Sequence, residues 1–260
     1  MKHPFKNTLT PLVAGISIVL GGSSTYAQTL LVDRGLPTDN VNLPDPNPDR
    51  SNVAWADNEP AGTLPFAPGD SFSLNTAATV TDIRVWEVGG GQSPVTLLGG
   101  ISGSPIGVIS TGVTATPVTY ANGQGYLSQI GTSLPILQLD FTVALSLTAG
   151  QTFDFFLANT LPGSTQSPFI AASNAALSGS PQDGSDGTFL FYDPNTGTVD
   201  TWDTGTGDGT YDPGFAGWDK NSDANVQVFG VSAPDGGSTM LLLSSGFTGL
   251  AFLRRRLNRA

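Results

Sequence analysis

Apolar residues fall on every second position of this chain over long stretches, most plainly in LQLDFTVALSLTAG, residues 137–150. Leu137, Leu139, Phe141, Val143, Leu145 and Leu147 share one parity, and Gln138, Asp140, Thr142, Ala144, Ser146 and Thr148 take the other. A period of two is that of a half-buried strand, since successive side chains point to opposite faces of the pleat. Thr148-Ala149-Gly150-Gln151 reads as a turn into TFDFFLAN, where Phe153, Phe155 and Leu157 alternate again, so the pair predicts a hairpin. Shorter strands are predicted over 30–32, 52–56, 80–88, 96–98, 106–110, 118–120, 188–192 and 225–229. Glycine and proline, 33 and 19 residues, punctuate them, and no helical period appears.

About ten short strands in one stretch predict an all-β fold, a β-sandwich of jelly-roll-like type. A closed barrel and a β-helix are the alternatives, the latter without the fixed repeat it requires. LPTDNVNLPDPNPDRS (36–51) and LPGSTQSP (161–168) read as loops.

Both ends depart from this pattern. At the N-terminus, Lys2 and Lys6 precede an apolar stretch over 12–20, and Thr25-Tyr26-Ala27 places small residues where a signal peptidase reads them. This predicts a secretory signal peptide over 1–27, cut between Ala27 and Gln28, with a first transmembrane helix as the alternative. At the C-terminus, an apolar run over 240–253 is followed by Arg254, Arg255 and Arg256. As a helix the run would rise about 20 Å against a hydrocarbon core of about 30 Å, which is short for a permanent span. The arginines place the C-terminus in the cytoplasm by the positive-inside rule.

Pro234-Asp235-Gly236-Gly237-Ser238-Thr239, the apolar run and the arginine cluster together resemble the VPDSG-CTERM sorting signal, a relative of the PEP-CTERM signal of Gram-negative bacteria. Ala233 and Gly236 stand where that signal usually has Val and Ser. The resemblance implies recognition by an exosortase, transient anchoring in the inner membrane, and cleavage near Pro234-Asp235. The expected organisation is therefore signal peptide 1–27, sandwich ectodomain 28–231 and sorting segment 232–260.

Charge narrows the partners of the ectodomain. Of the 21 acidic residues, all but Asp235 lie in 28–231, where twenty face only Arg34, Arg50, Arg84 and Lys220, a net −16. Nucleic acid and anionic lipid need a positive surface and are excluded. The chain has no cysteine, and its one histidine, His3, lies in the predicted signal peptide. Disulfides, a Ser-His-Asp triad, a Cys-His pair and zinc or copper sites are thereby excluded from the mature chain. Divalent cations of the calcium type and neutral sugars remain as ligands.

The densest polar stretch, 192–225, interleaves Asp193, Asp200, Asp203, Asp208, Asp212, Asp219 and Asp223 with Trp202, Tyr211, Phe215 and Trp218. Asp219, Asn221 and Asp223 have the two-residue spacing of oxygen ligands in calcium loops. The EF-hand pattern fails, with Ala224 at its sixth position and Gly230 at its twelfth, and turns that favour Asp, Asn and Gly explain the same composition. Trp202, Tyr211 and Trp218 beside carboxylates suit an extracellular polysaccharide, with core packing as the alternative for each. A carboxylate-pair glycan hydrolase would need two carboxyl groups roughly 5 to 10 Å apart, and Glu59 and Glu87 are the only glutamates. Asp33, Arg34, Arg50 and Asp57 are expected to form ion pairs that pin the long loop. The leading expectation is a non-catalytic structural or adhesive surface protein, with a carbohydrate-binding module as the alternative.

Overall fold

The period of two that runs through this chain lets a strand bury one row of side chains, and two sheets facing each other bury those rows against one another. A computed structural model describes residues 28–38, 52–55, 66–89, 95–120, 125–127, 132–159, 169–174, 188–203, 222–233 and 254–255. The strands are β1 (Thr29–Arg34), β2 (Asn52–Trp55), β3 (Ala67–Ser73), β4 (Ala78–Val88), β5 (Val95–Ile101), β6 (Gly107–Ser110) and β7 (Val113–Val118). They continue with β8 (Tyr126–Leu127), β9 (Ser133–Leu134), β10 (Ile136–Leu147), β11 (Thr152–Asn159) and β12 (Phe169–Asn174). The last four are β13 (Thr188–Asp193), β14 (Thr198–Asp203), β15 (Ser222–Ala224) and β16 (Val226–Ser232).

The fold is all-β, as the alternation predicts. One sheet runs β1-β16-β4-β10-β7, with β12 joining β4 beyond the end of β16 and carrying β2 and β15; the other runs β14-β13-β3-β11-β5-β6. Every pairing in both is antiparallel. One apolar cluster joins them: Val80, Ile83, Val85, Leu139, Phe141 and Val228 of the first sheet meet Phe72, Leu97, Phe153, Phe155, Leu157 and Phe189 of the second. The architecture is a two-sheet β-sandwich.

Strand β10 buries Leu139, Phe141, Val143 and Leu147, the residues its alternation marks. The hairpin expected between β10 and β11 does not form. The two strands belong to different sheets, so residues 148–151 cross the sandwich. Gly150, at φ 72, supplies the left-handed turn residue, and its N–H donates to the Leu74 carbonyl, 2.8 Å away, in the neighbouring β3–β4 crossing. A hairpin and a crossing share the same alternation, because in both the apolar rows face the core.

The strands predicted at 30–32, 52–56, 80–88, 96–98, 106–110, 188–192 and 225–229 correspond to β1, β2, β4, β5, β6, β13 and β16. The one expected over 118–120 forms earlier, as β7. Strands β3, β12, β14 and β15 carry too few bulky alternating residues to be read from sequence. Trp86 is buried as expected, but on the outer side of its sheet, in a second cluster with Val88, Tyr126, Ile136 and Ala171. The outer side of the other sheet likewise buries Ala67, Phe156 and Leu190.

Gly69 makes that last cluster possible. A Cβ there would sit 1.9 Å from the Phe155 carbonyl oxygen and 2.6 Å from Phe156 Cδ1. Backbone cannot yield as a flexible side chain would, so Gly69→Ala is expected to destabilise the domain by about 2–3 kcal/mol. Gly107→Ala, which enters open space, serves as the control. Urea midpoints of the two variants provide the comparison, and equal midpoints would contradict the close approach of β3 to β11.

Candidate functional site

Among the described residues, a concentrated buried polar group lies where β1 ends against β3, β12 and the β15–β16 junction. It is built on Arg34, which is 4% exposed. Its Nη1 lies 3.4 Å from Asp70 Oδ2 and 3.9 Å from Asp223 Oδ2, and its Nη2 donates to the Ser71 carbonyl. Asp70 Oδ1 accepts from the Ser71 N–H at 2.7 Å, and Oδ2 from the Ala224 N–H at 2.8 Å. Asn225 completes the group: its Nδ2 donates to the Gly35 carbonyl at 2.5 Å and to Ser173 Oγ at 2.7 Å.

Local sequence explains the positions. In APGDSFSL, Asp70 shares parity with Phe72 and Leu74, so β3 carries a carboxylate into the sandwich interior. Arg34 is the last residue of β1 and Asp223 the middle residue of the three-residue β15. Burial pushes the Asp70 carboxyl up to about 7; Arg34 opposes this, Asp223 reinforces it, and the Ser71 and Ala224 N–H groups oppose it. Of the ion pairs expected among Asp33, Arg34, Arg50 and Asp57, the described residues show a different set of partners for Arg34. Arg34 engages Asp70 and Asp223, while Asp33 Oδ1 accepts from Gln227 Nε2 at 2.7 Å on the exposed side. Successive strand residues face opposite ways, which separates Asp33 from Arg34. Arg50 and Asp57 lie outside the described residues.

The remaining sequence-derived positions that are described lie on separate strands and turns. Asp223, expected as a calcium ligand, is 1% exposed and sits beside a guanidinium. Asp219, Asn221, Tyr211 and Trp218 lie outside the described residues. Trp202 lies on β14, the edge strand of its sheet, in register with the core residue Phe189. Glu87 is buried on β4, in register with Leu137 and Ile170, and Glu59 lies outside the described residues. Asp193 acts as a turn former, with Asn195 N at 2.7 Å and Thr196 Oγ1 at 2.8 Å donating to it. Slight burial works against its ionisation, yet these donors hold its carboxyl below the usual range. Among the described residues, no group of three or more His, Cys, Asp or Glu side chains converges on a point.

Gln28, the expected first mature residue, immediately precedes β1, and its Nε2 donates to Asp82 Oδ2 at 2.5 Å and Thr81 Oγ1 at 2.9 Å. Ala27 lies outside the described residues, as do Pro234, Asp235, Gly236, Gly237, Ser238, Thr239 and Arg256. Arg254 and Arg255 are helical and exposed. No helix among the described residues is long and apolar enough to cross a membrane.

Comparison with known proteins bears on this end of the chain. Residues 234–257 match the VPDSG-CTERM motif. The chain thus carries a PEP-CTERM-like C-terminal sorting signal, which implies processing by an exosortase-type system and export to the cell surface or extracellular space. Neither the curated proteins nor the solved structures compared with the chain give a match.

Two expected outcomes follow for the buried cluster. Arg34→Met leaves two buried carboxylates without their guanidinium and is expected to cost about 3–5 kcal/mol of stability, read by chemical denaturation. Asp70 takes up a proton on folding, because its folded pKa lies above the ordinary 3.8. Its contribution to stability is therefore greatest at low pH and is lost as pH rises through about 7. The melting temperature of the wild type is expected to fall as pH rises from the ordinary 3.8 to about 7, with about one proton's worth of slope, and to level off above it, and Asp70→Asn is expected to flatten that fall. An unchanged slope in Asp70→Asn would assign the pH dependence elsewhere.

Proposed function

We propose that this protein is a non-catalytic structural or adhesive component of the cell surface or the extracellular polysaccharide matrix, delivered there by an exosortase. The observation that carries the reading is the sorting signal at 234–257, joined to a sandwich in which the buried Arg34, Asp70 and Asp223 engage one another. In this reading the domain works through its surface. That surface is rich in short polar side chains: Thr114, Thr116, Thr142, Ser146 and Thr201 are exposed on β7, β10 and β14. Hydroxyls on flat strands suit contact with hydrated polymer, and the net −16 of 28–231 keeps the domain soluble and off anionic lipid.

In this reading the tail is an address. The arginines following the apolar run hold the chain in the inner membrane with its C-terminus inside until the exosortase cuts near Pro234-Asp235, and the domain then leaves the membrane. The full chain expressed in an exosortase-bearing Gram-negative host is expected in the surface or extracellular fraction. Replacing Arg254, Arg255 and Arg256 together with Ser, or Asp235 with Ala, is expected to retain most of it in the membrane fraction or unprocessed. Equal fractionation of wild type and variants would sink the sorting role of those residues. Co-sedimentation of the exported protein with extracellular polysaccharide, with calcium and with a chelator, tests the alternative of a carbohydrate-binding module. Binding that disappears in Trp202→Ala or Trp218→Ala would favour that module over a passive scaffold.

A further inference from the structure

In an ectodomain of net charge −16, residues 88–139 contain no charged residue at all. The topology gathers this segment on one side of the sandwich. It supplies β5 and β6 at one end of the six-stranded sheet and β7 at the end of the other, and the short β8–β9 pair follows. β6 and β7 are consecutive, so both sheet edges on this side come from one uncharged stretch. Among the described residues, no strand pairs with the outer edge of either.

The two edges differ. Pro117 removes a donor from β7, a common way of blunting an edge. β6, Gly107-Val108-Ile109-Ser110, has neither proline nor charge. Ile109 packs against the main core, and Val108 points the other way and is 63% exposed, more than Leu30 or Phe169. An uncharged edge strand with an exposed β-branched side chain is a ready template for another strand.

We propose that the charge-free side centred on the β6 edge is where two copies of this chain meet, edge to edge about a two-fold axis. The acidity of the rest of the domain selects the occupant. Copies carrying −16 repel, and among the described residues the strands formed by 88–139 are where they approach without placing carboxylate against carboxylate. A two-fold contact brings Val108 close to its own counterpart. Salt distinguishes this contact from an ion-paired one: screening the global repulsion strengthens association instead of weakening it.

The test uses the processed protein purified from the extracellular fraction and follows its mass by sedimentation over a concentration series at low and moderate salt. A dimer is expected whose population rises with salt. Val108→Glu, which sets two carboxylates face to face at the axis, is expected to weaken it by about a hundredfold. Asp200→Ala on β14, the opposite edge of the sheet, is expected to leave it unchanged. Because Val108 is exposed, the melting temperature of Val108→Glu should match wild type and separate lost contact from lost fold. A wild type that stays monomeric throughout, a dimer that salt dissociates, or a dimer indifferent to Val108→Glu would each overturn the proposal. A monomer that binds a neutral polysaccharide through Val108 would do so too, while leaving the surface placement and the proposed function intact.

Discussion

A single guanidinium ties the ends of this domain together. Arg34 closes β1, the first strand; Asp70 belongs to β3 in the facing sheet; Asp223 belongs to β15, just before the last strand. Three segments far apart in sequence thus converge on one buried cation, with two carboxylates near the same Nη1. Desolvating three charged groups is costly, and the geometry offsets the cost with backbone donors to Asp70 and a backbone acceptor for Arg34. Burial raises the Asp70 pKa first, and the neighbouring Asp223 adds to it, so the surplus negative charge is eased when Asp70 holds its proton. Asn225 performs the neutral part of the same task by holding the Gly35 carbonyl and Ser173 where β12, β15 and β16 part company.

Around this clasp the sandwich buries more than its interior. Both sheets carry apolar clusters on their outer sides, one around Trp86 and Ile136, the other around Phe156 and Leu190. The outer side of the larger sheet also bears a polar row across four strands. Gln227 donates to Asp33, Arg84 Nη1 donates to Gln227 Oε1 at 3.1 Å, and Arg84 Nε donates to Asp140 at 2.6 Å. These partly exposed contacts add little stability each and accompany a register that the buried inner row already specifies.

Charge is distributed on a larger scale as well. The acidic residues flank a long neutral segment that forms one side of the fold, while the basic residues of the ectodomain that fall among the described residues, Arg34 and Arg84, are spent on intramolecular pairs. Among the described residues, what the domain presents outward is therefore chiefly acidic or neutral. Such a surface suits contact with uncharged partners.

Much of this was legible from the chain alone. Side-chain period two is a local property, so the all-β class, most of the strands and the buried row of β10 follow from sequence without any knowledge of neighbours. The sorting signal is equally local, because a peptidase reads a contiguous motif with an apolar run and arginines behind it. The partners of each strand were not legible. Alternation says that a row of side chains is buried, not which sheet buries it, so β10 and β11 looked like a hairpin and are instead a crossing. The clasp was hidden for the same reason: Arg34, Asp70 and Asp223 are unremarkable one at a time, and Asp223 in isolation resembles a loop ligand. A faint signal existed in Asp70, a carboxylate on the apolar parity of Phe72 and Leu74. Only the tertiary structure could decide its meaning, because a buried charge is defined by what is brought against it across the fold, and local pattern carries no record of that.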